Sequence, residues 1–214
     1  MHRYLVTGTD TDVGKTRVSA ALALALRRSG HAPIVVKLVQ TGARPGEPAD
    51  SERAGALSGC KFLELARFAK PADPWSAALA DGTPAVRAED LQRVLAGLGG
   101  PLVAEGAGGL AVPLNATQTM ASLAQLAGLP IVLVVGLRLG CINHALLTLA
   151  LCEQLRLPVA GGILVDRWER SADSYVADVS RALQGKLNLL GIVPFESDER
   201  ASVEAAAMLF APLE

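Results

Sequence analysis

The 214-residue sequence lacks several features that mark large classes of protein. Aromatic residues make up only 4% of it, the net charge is −1, and no run of Lys and Arg with interleaved aromatics is present. A chain without a basic field has little to attract a polyanion, so nucleic acid is not an expected partner. The longest nearly uninterrupted apolar stretch, residues 129–137, is far shorter than the roughly 20 residues of a membrane-spanning helix, so no membrane partner is expected.

Cysteine is also scarce. The three residues, Cys60, Cys141 and Cys152, are widely spaced and form no C-x-x-C pair, which argues against a disulfide framework and against a zinc site. The first residues, MHRYLVTG, lead directly into an apolar strand pattern without the apolar core and cleavage site of a secretory signal. We therefore expect a cytoplasmic protein.

What the sequence does contain is an ordinary globular balance, 50% hydrophobic and 19% charged residues, and we expect one domain over residues 1–214. Short runs rich in Val, Ile and Leu lack the alternation of a sheet with one wet face, which is typical of parallel strands buried on both sides. Helical stretches separate them. The sequence thus predicts an α/β fold, a mostly parallel sheet with helices on both faces. The strand runs are RYLV, PIVVK, PLVAE, PIVLVV, VAGGILV and LLGIV.

The first predicted strand runs into GTDTDVGKT, residues 8–16, which reads as a phosphate-binding P-loop with one residue too many. The usual pattern, G-x-x-x-x-G-K-[ST], places glycine where this chain has Thr9, and Gly8 comes one position early. A glycine-rich turn from strand to helix nevertheless directs backbone N–H groups toward an anion. Lys15 would add a charge for the β- and γ-phosphates, and Thr16 a hydroxyl for Mg²⁺. We predict a nucleotide site with the additional residue looped out among residues 9–12.

A P-loop needs a carboxylate near its metal ion, commonly at the end of an apolar strand. Glu105, which ends PLVAE, is the best candidate, with a solvated or helix-capping acid as the alternative interpretation. Mg²⁺ keeps several waters, so one or two carboxylates suffice. We expect the second from Asp50, with Glu47 and Glu52 as neighbours that the chemistry alone leaves open.

Further positions could contribute to the same site. Lys37 ends PIVVK on the sheet edge of the P-loop, where it could stabilise charge on a transferring phosphoryl group; a solvated lysine is the equally weighted alternative. Residues 140–143 lie at the start of a predicted helix, whose free N–H groups could receive a carboxylate or phosphate. The loops at 41–50 and 115–119 follow strand ends as well, and both are candidate site loops.

Four segments resemble the dethiobiotin synthetase family in their order and spacing. They are VTGTDTDVGKT, VKLVQTG, EGAGG with the LAVP that follows it, and LGCINHALLT. The resemblance extends over essentially the whole chain and includes the additional P-loop residue. It implies a P-loop NTPase-like fold and a ligase of biotin biosynthesis that uses ATP and Mg²⁺. In that family 7,8-diaminononanoate and CO₂ give dethiobiotin, ADP and phosphate through a carbamate and a carbamic-phosphoric anhydride.

The resemblance also implies roles for particular residues. Lys15 and Lys37 would be catalytic, and Thr16, Asp50 and Glu105 would hold the metal. The family is homodimeric with its substrate site at the subunit interface, so the substrate carboxylate would reach the neighbouring subunit. The expected substrate contacts are Thr11, Lys37, Thr41, Gly108, Gly140, Cys141, Asn143 and Tyr175. The expected nucleotide contacts are Asp12, Val13, Gly14, Lys15, Thr16, Arg17, Glu105, Gly106, Ala107, Gly108, Val165, Asp166, Pro194, Phe195 and Glu196.

One position departs from the family, and two other classes of protein compete with it. Where the family often has Asn-Asp to read the adenine edge, this chain has Val165-Asp166, and valine offers no hydrogen bond, which puts base selectivity in doubt. Switch ATPases that position chromosomes or division sites carry a lysine where this chain has Asp10. Amidotransferase-type synthetases share the P-loop but are usually longer.

Overall fold

The computed structural model describes residues 2–43, 46, 48–169 and 174–213, which form a series of strands and helices. The strands are β1 (Arg3–Gly8), β2 (Ile34–Lys37), β3 (Gln40–Thr41), β4 (Lys61–Glu64), β5 (Arg67–Phe68), β6 (Leu102–Glu105), β7 (Ile131–Gly136), β8 (Val159–Val165) and β9 (Leu189–Val193). The helices are α1 (Lys15–Arg28), α2 (Asp50–Ser58), α3 (Pro74–Ala80), α4 (Ala88–Gly97), α5 (Met120–Ala127), α6 (Cys141–Leu155), α7 (Ser174–Leu183) and α8 (Glu199–Ala207), followed by a 3₁₀ helix at Met208–Leu213.

Seven of these strands form one sheet in the order β4-β2-β6-β1-β7-β8-β9, and each neighbouring pair is parallel. The carboxyl ends of β1, β2 and β6 therefore meet at one edge, where the register pairs Glu105 with both Lys37 and Val6. Open α/β sheets bind ligands at this edge. The predicted parallel sheet is confirmed.

The two faces of the sheet carry separate apolar cores, because successive strand residues point to opposite faces. Leu5 joins a core formed with α3, α4, α5, α6 and α7. Its neighbour Val6 joins a second core with α1, α2, α8 and the 3₁₀ helix. Helices cover both faces, as predicted, and α1 carries the P-loop against the middle of the sheet.

The structure adds elements that the sequence analysis does not predict. The edge strand β4 presents Lys61 and Phe62 to solvent, so it lacks the buried run that identifies the other strands. The strands β3 and β5 have two residues each and pair only with each other. The helices α2, α3 and α8 are short, and tertiary packing stabilises them more than local propensity does. In the part of the chain that the structure describes, no helix could cross a membrane.

Candidate active site

The P-loop joins β1 to α1 and accommodates its additional residue through left-handed backbone at two positions. Asp12 has φ 56° and Gly14 has φ 100°. A Cβ on Gly14 would lie 2.9 Å from Val165 Cγ1, so only glycine fits between α1 and the end of β8. A Cβ on Gly8 would lie 2.7 Å from the carbonyl oxygen of Asp10, which explains why glycine sits one position early.

Lys15 lies on the first turn of α1 and is almost fully buried, with 7% of its surface exposed. Its ammonium donates a hydrogen bond to the carbonyl oxygen of Asp10 at 2.9 Å. Burial, and after it the charge of Lys37, lower the pKa of Lys15 to about 8. A desolvated cation at the start of a helix is suited to bind a phosphate, because the anion would restore the interactions that burial removes.

Lys37 and Glu105, both buried at the ends of β2 and β6, form a charge cluster with the partly exposed Asp50 at the start of α2. Lys37 Nζ lies 2.7 Å from Glu105 Oε1 and 2.6 Å from Asp50 Oδ2. Lys37 and Glu105 are 4% and 1% exposed, which excludes the interpretation of either as a solvated strand-end residue. Burial lowers the pKa of Lys37, but the two carboxylates outweigh it, so the pKa is raised and the lysine stays charged.

Thr16 connects this cluster to the P-loop. Its hydroxyl donates a hydrogen bond to Glu105 Oε1 at 3.0 Å. The other oxygen, Glu105 Oε2, is buried and has no hydrogen-bond partner among the described residues. A hydroxyl, an orphaned carboxylate oxygen and the nearby carboxylate of Asp50 are the hard oxygen ligands that Mg²⁺ prefers. The residues therefore fit a magnesium ion that would complete its coordination with phosphate and water, although no group of three His, Cys, Asp or Glu side chains is found in the described ranges.

A cavity of about 530 Å³ opens beside the P-loop and the charge cluster. Gly8 N–H donates to the carbonyl of Gly108 at 3.2 Å, which holds the glycine cluster after β6 against the P-loop. Twelve of the predicted site residues line the cavity: Thr11, Asp12, Gly14, Lys15, Thr16, Arg17, Lys37, Thr41, Asp50, Glu105, Ala107 and Gly108.

The cavity wall also contains residues that the sequence analysis misses. Arg53 on α2 pairs with Glu199 on α8 at 2.8 Å. Arg167 follows β8 and donates to the carbonyl of Asp12 at 3.0 Å. Further lining residues are Val39, Gln40, Pro71, Ala72, Asp73, Pro74 and Val112. Arg53, Glu199 and residues 71–74 come from remote short elements, so no spacing in the sequence marks them. The other four residues lie in or near quoted segments: Val39 and Gln40 in VKLVQTG, Val112 in LAVP, and Arg167 two residues after Val165.

The residues expected to contact the nucleotide base lie beside the P-loop and outside the cavity lining. Val165 and Asp166 are fully buried, and Asp166 Oδ1 accepts the N–H of Trp168 at 2.9 Å. The loop that contains Pro194, Phe195 and Glu196 follows β9, the strand next to β8. Its Glu196 carbonyl accepts a hydrogen bond from Arg17 at 3.4 Å, which ties the loop to α1.

The residues expected at the substrate carboxylate form a second group at the start of α6. Gly140 caps this helix with φ 93°, Cys141 is buried and Asn143 is exposed. Tyr175 reaches them from α7, with its hydroxyl 3.3 Å from Cys141 Sγ and donating to the Arg138 carbonyl at 2.6 Å. None of Gly140, Cys141, Asn143 and Tyr175 lines the cavity of its own chain.

One expectation from the sequence changes, and one open choice is narrowed. The loop at 115–119 does not line the cavity; Gln118 Oε1 accepts the N–H of Ala88, so the loop closes the start of α4 and is structural. Asp50 begins α2 beside Lys37, whereas Glu52 is exposed and outside the cavity lining. Glu47 lies outside the described residues.

The fold and this site together define a P-loop NTPase. The chain is similar in structure to the cell division ATPase MinD of Pyrococcus furiosus, with a TM-score of 0.62 and 16% identity over 100% of each chain. It is also similar to a chain of the MinC:MinD cell division complex of Aquifex aeolicus, with a TM-score of 0.58 and 14% identity over 96% of this chain and 86% of that one. At such identities the likeness shows the fold alone.

The sequences of curated relatives show the family. An ATP-dependent dethiobiotin synthetase of Anaeromyxobacter sp. (strain K) is 44% identical over 77% of this chain and 76% of its own length. Those of Rhodococcus jostii and Pseudomonas aeruginosa are 39% and 36% identical, over 97% and 100% of this chain and 92% and 98% of their own lengths. A family model described as an AAA domain matches residues 2–202. The chain belongs to the dethiobiotin synthetase family and is an enzyme, an ATP-dependent ligase.

Proposed function

We propose that the chain converts 7,8-diaminononanoate, CO₂ and ATP into dethiobiotin, ADP and phosphate. One amine loses a proton and bonds to CO₂ as a carbamate, whose oxygen attacks the γ-phosphorus while ADP leaves. The second amine then attacks the carbonyl carbon of the mixed anhydride; phosphate leaves, that nitrogen loses a proton, and a cyclic urea forms. We further propose that residues 1–214 form one domain, which acts in the cytoplasm as a homodimer.

The observation that carries this proposal is the buried Lys37 between Glu105 and Asp50, beside the P-loop. Because Lys37 stays charged at the end of β2, it can stabilise the negative charge that develops as the carbamate oxygen meets the γ-phosphate. Lys15 lines the same cavity and can hold the β- and γ-phosphates. Two fixed cations around one transferring group are what such a step requires.

A magnesium ion held by Thr16, Glu105 and Asp50 would offset the charge of the phosphates. Glu105 would contribute its orphaned oxygen, since its other oxygen already accepts from Thr16 and Lys37. Lys37 would then share the two carboxylates with the metal and keep the cluster near neutrality.

Thr11, Thr41 and Gly108 line the same cavity and would align the diamine there. The carboxylate end of the substrate would bind at Gly140, Cys141, Asn143 and Tyr175 of the neighbouring subunit. These four residues lie outside the cavity of their own chain, which supports binding across a subunit interface. A nine-carbon substrate that reacts in the cavity needs a second surface to contact its carboxylate end.

The deciding experiment is to incubate the purified protein with diaminononanoate, bicarbonate and MgATP and to measure dethiobiotin. We expect dethiobiotin and phosphate in equal amounts, both dependent on the diamine. Phosphate release at the same rate without the diamine would instead support a switch ATPase.

We also propose that ATP remains the nucleotide but that base preference is relaxed. Val165 has no polar group and its side chain packs against Gly14, so it cannot read the adenine edge. We expect kcat/KM values for ATP, GTP and CTP that agree within about ten-fold, because no base hydrogen bond from this position favours one of them. A strong preference for ATP would refute this proposal.

A further inference from the structure

Asp10 lies in the P-loop insertion and makes three contacts there. Its Oδ2 forms an ion pair with Arg138 Nη2, and its Oδ1 accepts the N–H of Thr11 at 2.7 Å. Its carbonyl oxygen accepts the hydrogen bond from Lys15. Thr11 and Lys15 both line the cavity, so the conformation of Asp10 determines where two site residues stand.

Arg138 lies in the turn between β7 and α6 and is held from the other side. Its carbonyl oxygen accepts the N–H of Cys141 at 3.0 Å and the hydroxyl of Tyr175 at 2.6 Å. Its side chain thus contacts the P-loop while its backbone contacts the starts of α6 and α7. Asp10, Arg138 and Tyr175 form one connected path from the nucleotide site to the start of α6.

The charge of Asp10 gives the ion pair a second effect. Without a partner, the carboxylate of Asp10 would repel a phosphate bound at Lys15, because both residues belong to the P-loop. Arg138 neutralises that carboxylate through its ion pair. A P-loop with Asp10 therefore needs a cation from elsewhere in the chain.

We infer that Arg138 is a positioning residue of the nucleotide site, which fixes the P-loop insertion through Asp10 and links it to the start of α6. The effect on the nucleotide is independent of the substrate. The link to α6 rests on the proposed function, because only there does that helix bind the substrate carboxylate.

The first test measures MgADP affinity without any diamine, by calorimetric titration of Arg138→Met, Arg138→Lys and Asp10→Asn. We expect Arg138→Met to raise the Kd about five-fold, the upper range for a partly exposed ion pair, and Arg138→Lys to restore most of the affinity. Asp10→Asn keeps the acceptor for Thr11 but removes the charge. The double variant Arg138→Met/Asp10→Asn should therefore bind MgADP more tightly than the sum of the two single losses predicts.

The matched control is Arg28→Met. Arg28 pairs with Glu204 between α1 and α8, and the two side chains are 47% and 45% exposed, close to the 42% and 37% of Arg138 and Asp10. This variant should bind MgADP like the unmodified protein and melt at the same temperature as Arg138→Met. The inference is overturned if Arg138→Met binds MgADP within two-fold of the unmodified protein, or if its loss simply adds to that of Asp10→Asn.

The second test measures whether Arg138 links the nucleotide site to the start of α6. We expect diaminononanoate to change the Kd of MgADP in the unmodified protein and to change it less in Arg138→Met, since coupling between two sites is reciprocal and Arg138 would carry the part of it that passes through α6. Equal coupling in both proteins would contradict the link. If the diamine does not bind at all, the proposed function and the link both fail, while the MgADP titrations still decide the P-loop role.

Discussion

At the scale of single residues, Lys37 determines the charge balance of the site. It stands between Glu105 and Asp50 with only 4% of its surface exposed, so each of the three charges depends on the others. A buried pair is a weak source of stability, but removing one partner leaves an uncompensated charge. The lysine that the proposed function assigns to the chemistry therefore also affects the stability of the fold.

Lys37→Ala should abolish dethiobiotin formation while MgADP still binds, because Lys15 and the P-loop remain. It should also lower the free energy of unfolding by about 3 kcal/mol, the typical result of breaking a buried pair. Adding Glu105→Gln should recover part of that stability, measured by urea unfolding. Lys70→Ala, at an exposed lysine outside the cavity, is the control and should change neither quantity. Unchanged turnover in Lys37→Ala would remove Lys37 from the site.

Lys15 makes nucleotide binding depend on pH in the alkaline range. Its pKa is lowered to about 8, chiefly by burial, so the ammonium predominates below that pH and the neutral amine above it. A phosphate binds the positively charged ammonium more tightly than the neutral amine. The Kd of MgADP should therefore rise about ten-fold between about pH 7.5 and about pH 9, as measured by titration calorimetry. Adenosine, which has no phosphate, should show no such change, and a constant Kd for MgADP would contradict the assignment.

At the scale of elements, the P-loop is held by close contact with the end of β7. A Cβ on Gly136 would lie 2.8 Å from Val13 Cγ1 and 3.3 Å from Val13 Cα. The loop can therefore approach the sheet only over a glycine. The position of α1, and with it Lys15 and Thr16, depends on this contact.

Gly136→Ala should displace the P-loop, lowering stability by about 1–3 kcal/mol and weakening MgADP binding. Val13→Ala in the same protein removes the nearest atom and should restore part of both losses. Gly97→Ala is the control, since no atom lies within 4 Å of a Cβ at that position in α4. Thermal unfolding and nucleotide titration measure the two effects; full affinity in Gly136→Ala would show that the loop tolerates the shift.

The elements also show how far the sequence alone could lead. The inner strands of the sheet are mostly buried on both faces, so their apolar runs identify β1, β2, β6, β7 and β8 directly. The edge strand β9 is identified by its apolar run as well, although Ile192 is 38% exposed. Glu105 and Lys37 could be placed together because each ends such a run. Arg53 and Glu199 could not, because their ion pair joins α2 to α8 across 146 positions of the chain. Likewise, only the folded chain shows that Gln118 serves α4 rather than the cavity.

At the scale of the whole molecule, α6 has more apolar surface than its own chain covers. Among its residues only Cys141, Ala145 and Cys152 are buried, although its sequence is CINHALLTLALCEQL. Leu147 is 62% exposed, and Leu139, just before the helix, is 91% exposed. This surface adjoins the residues that the proposal assigns to a neighbouring subunit's substrate, so one contact would cover the apolar face and complete the site.

Subunit mixing tests this arrangement. Lys37→Ala should inactivate the cavity of the subunit that carries it. Asn143→Asp should repel the carboxylate of the substrate that is bound in the cavity of the neighbouring subunit. Each variant alone should be inactive. After unfolding and refolding together, about a quarter of the original activity should return, because half of the dimers carry one cavity with both parts intact. Light scattering should give twice the mass of one chain for every protein in the mixture. If the substrate is bound within a single chain, the mixture will stay as inactive as its components.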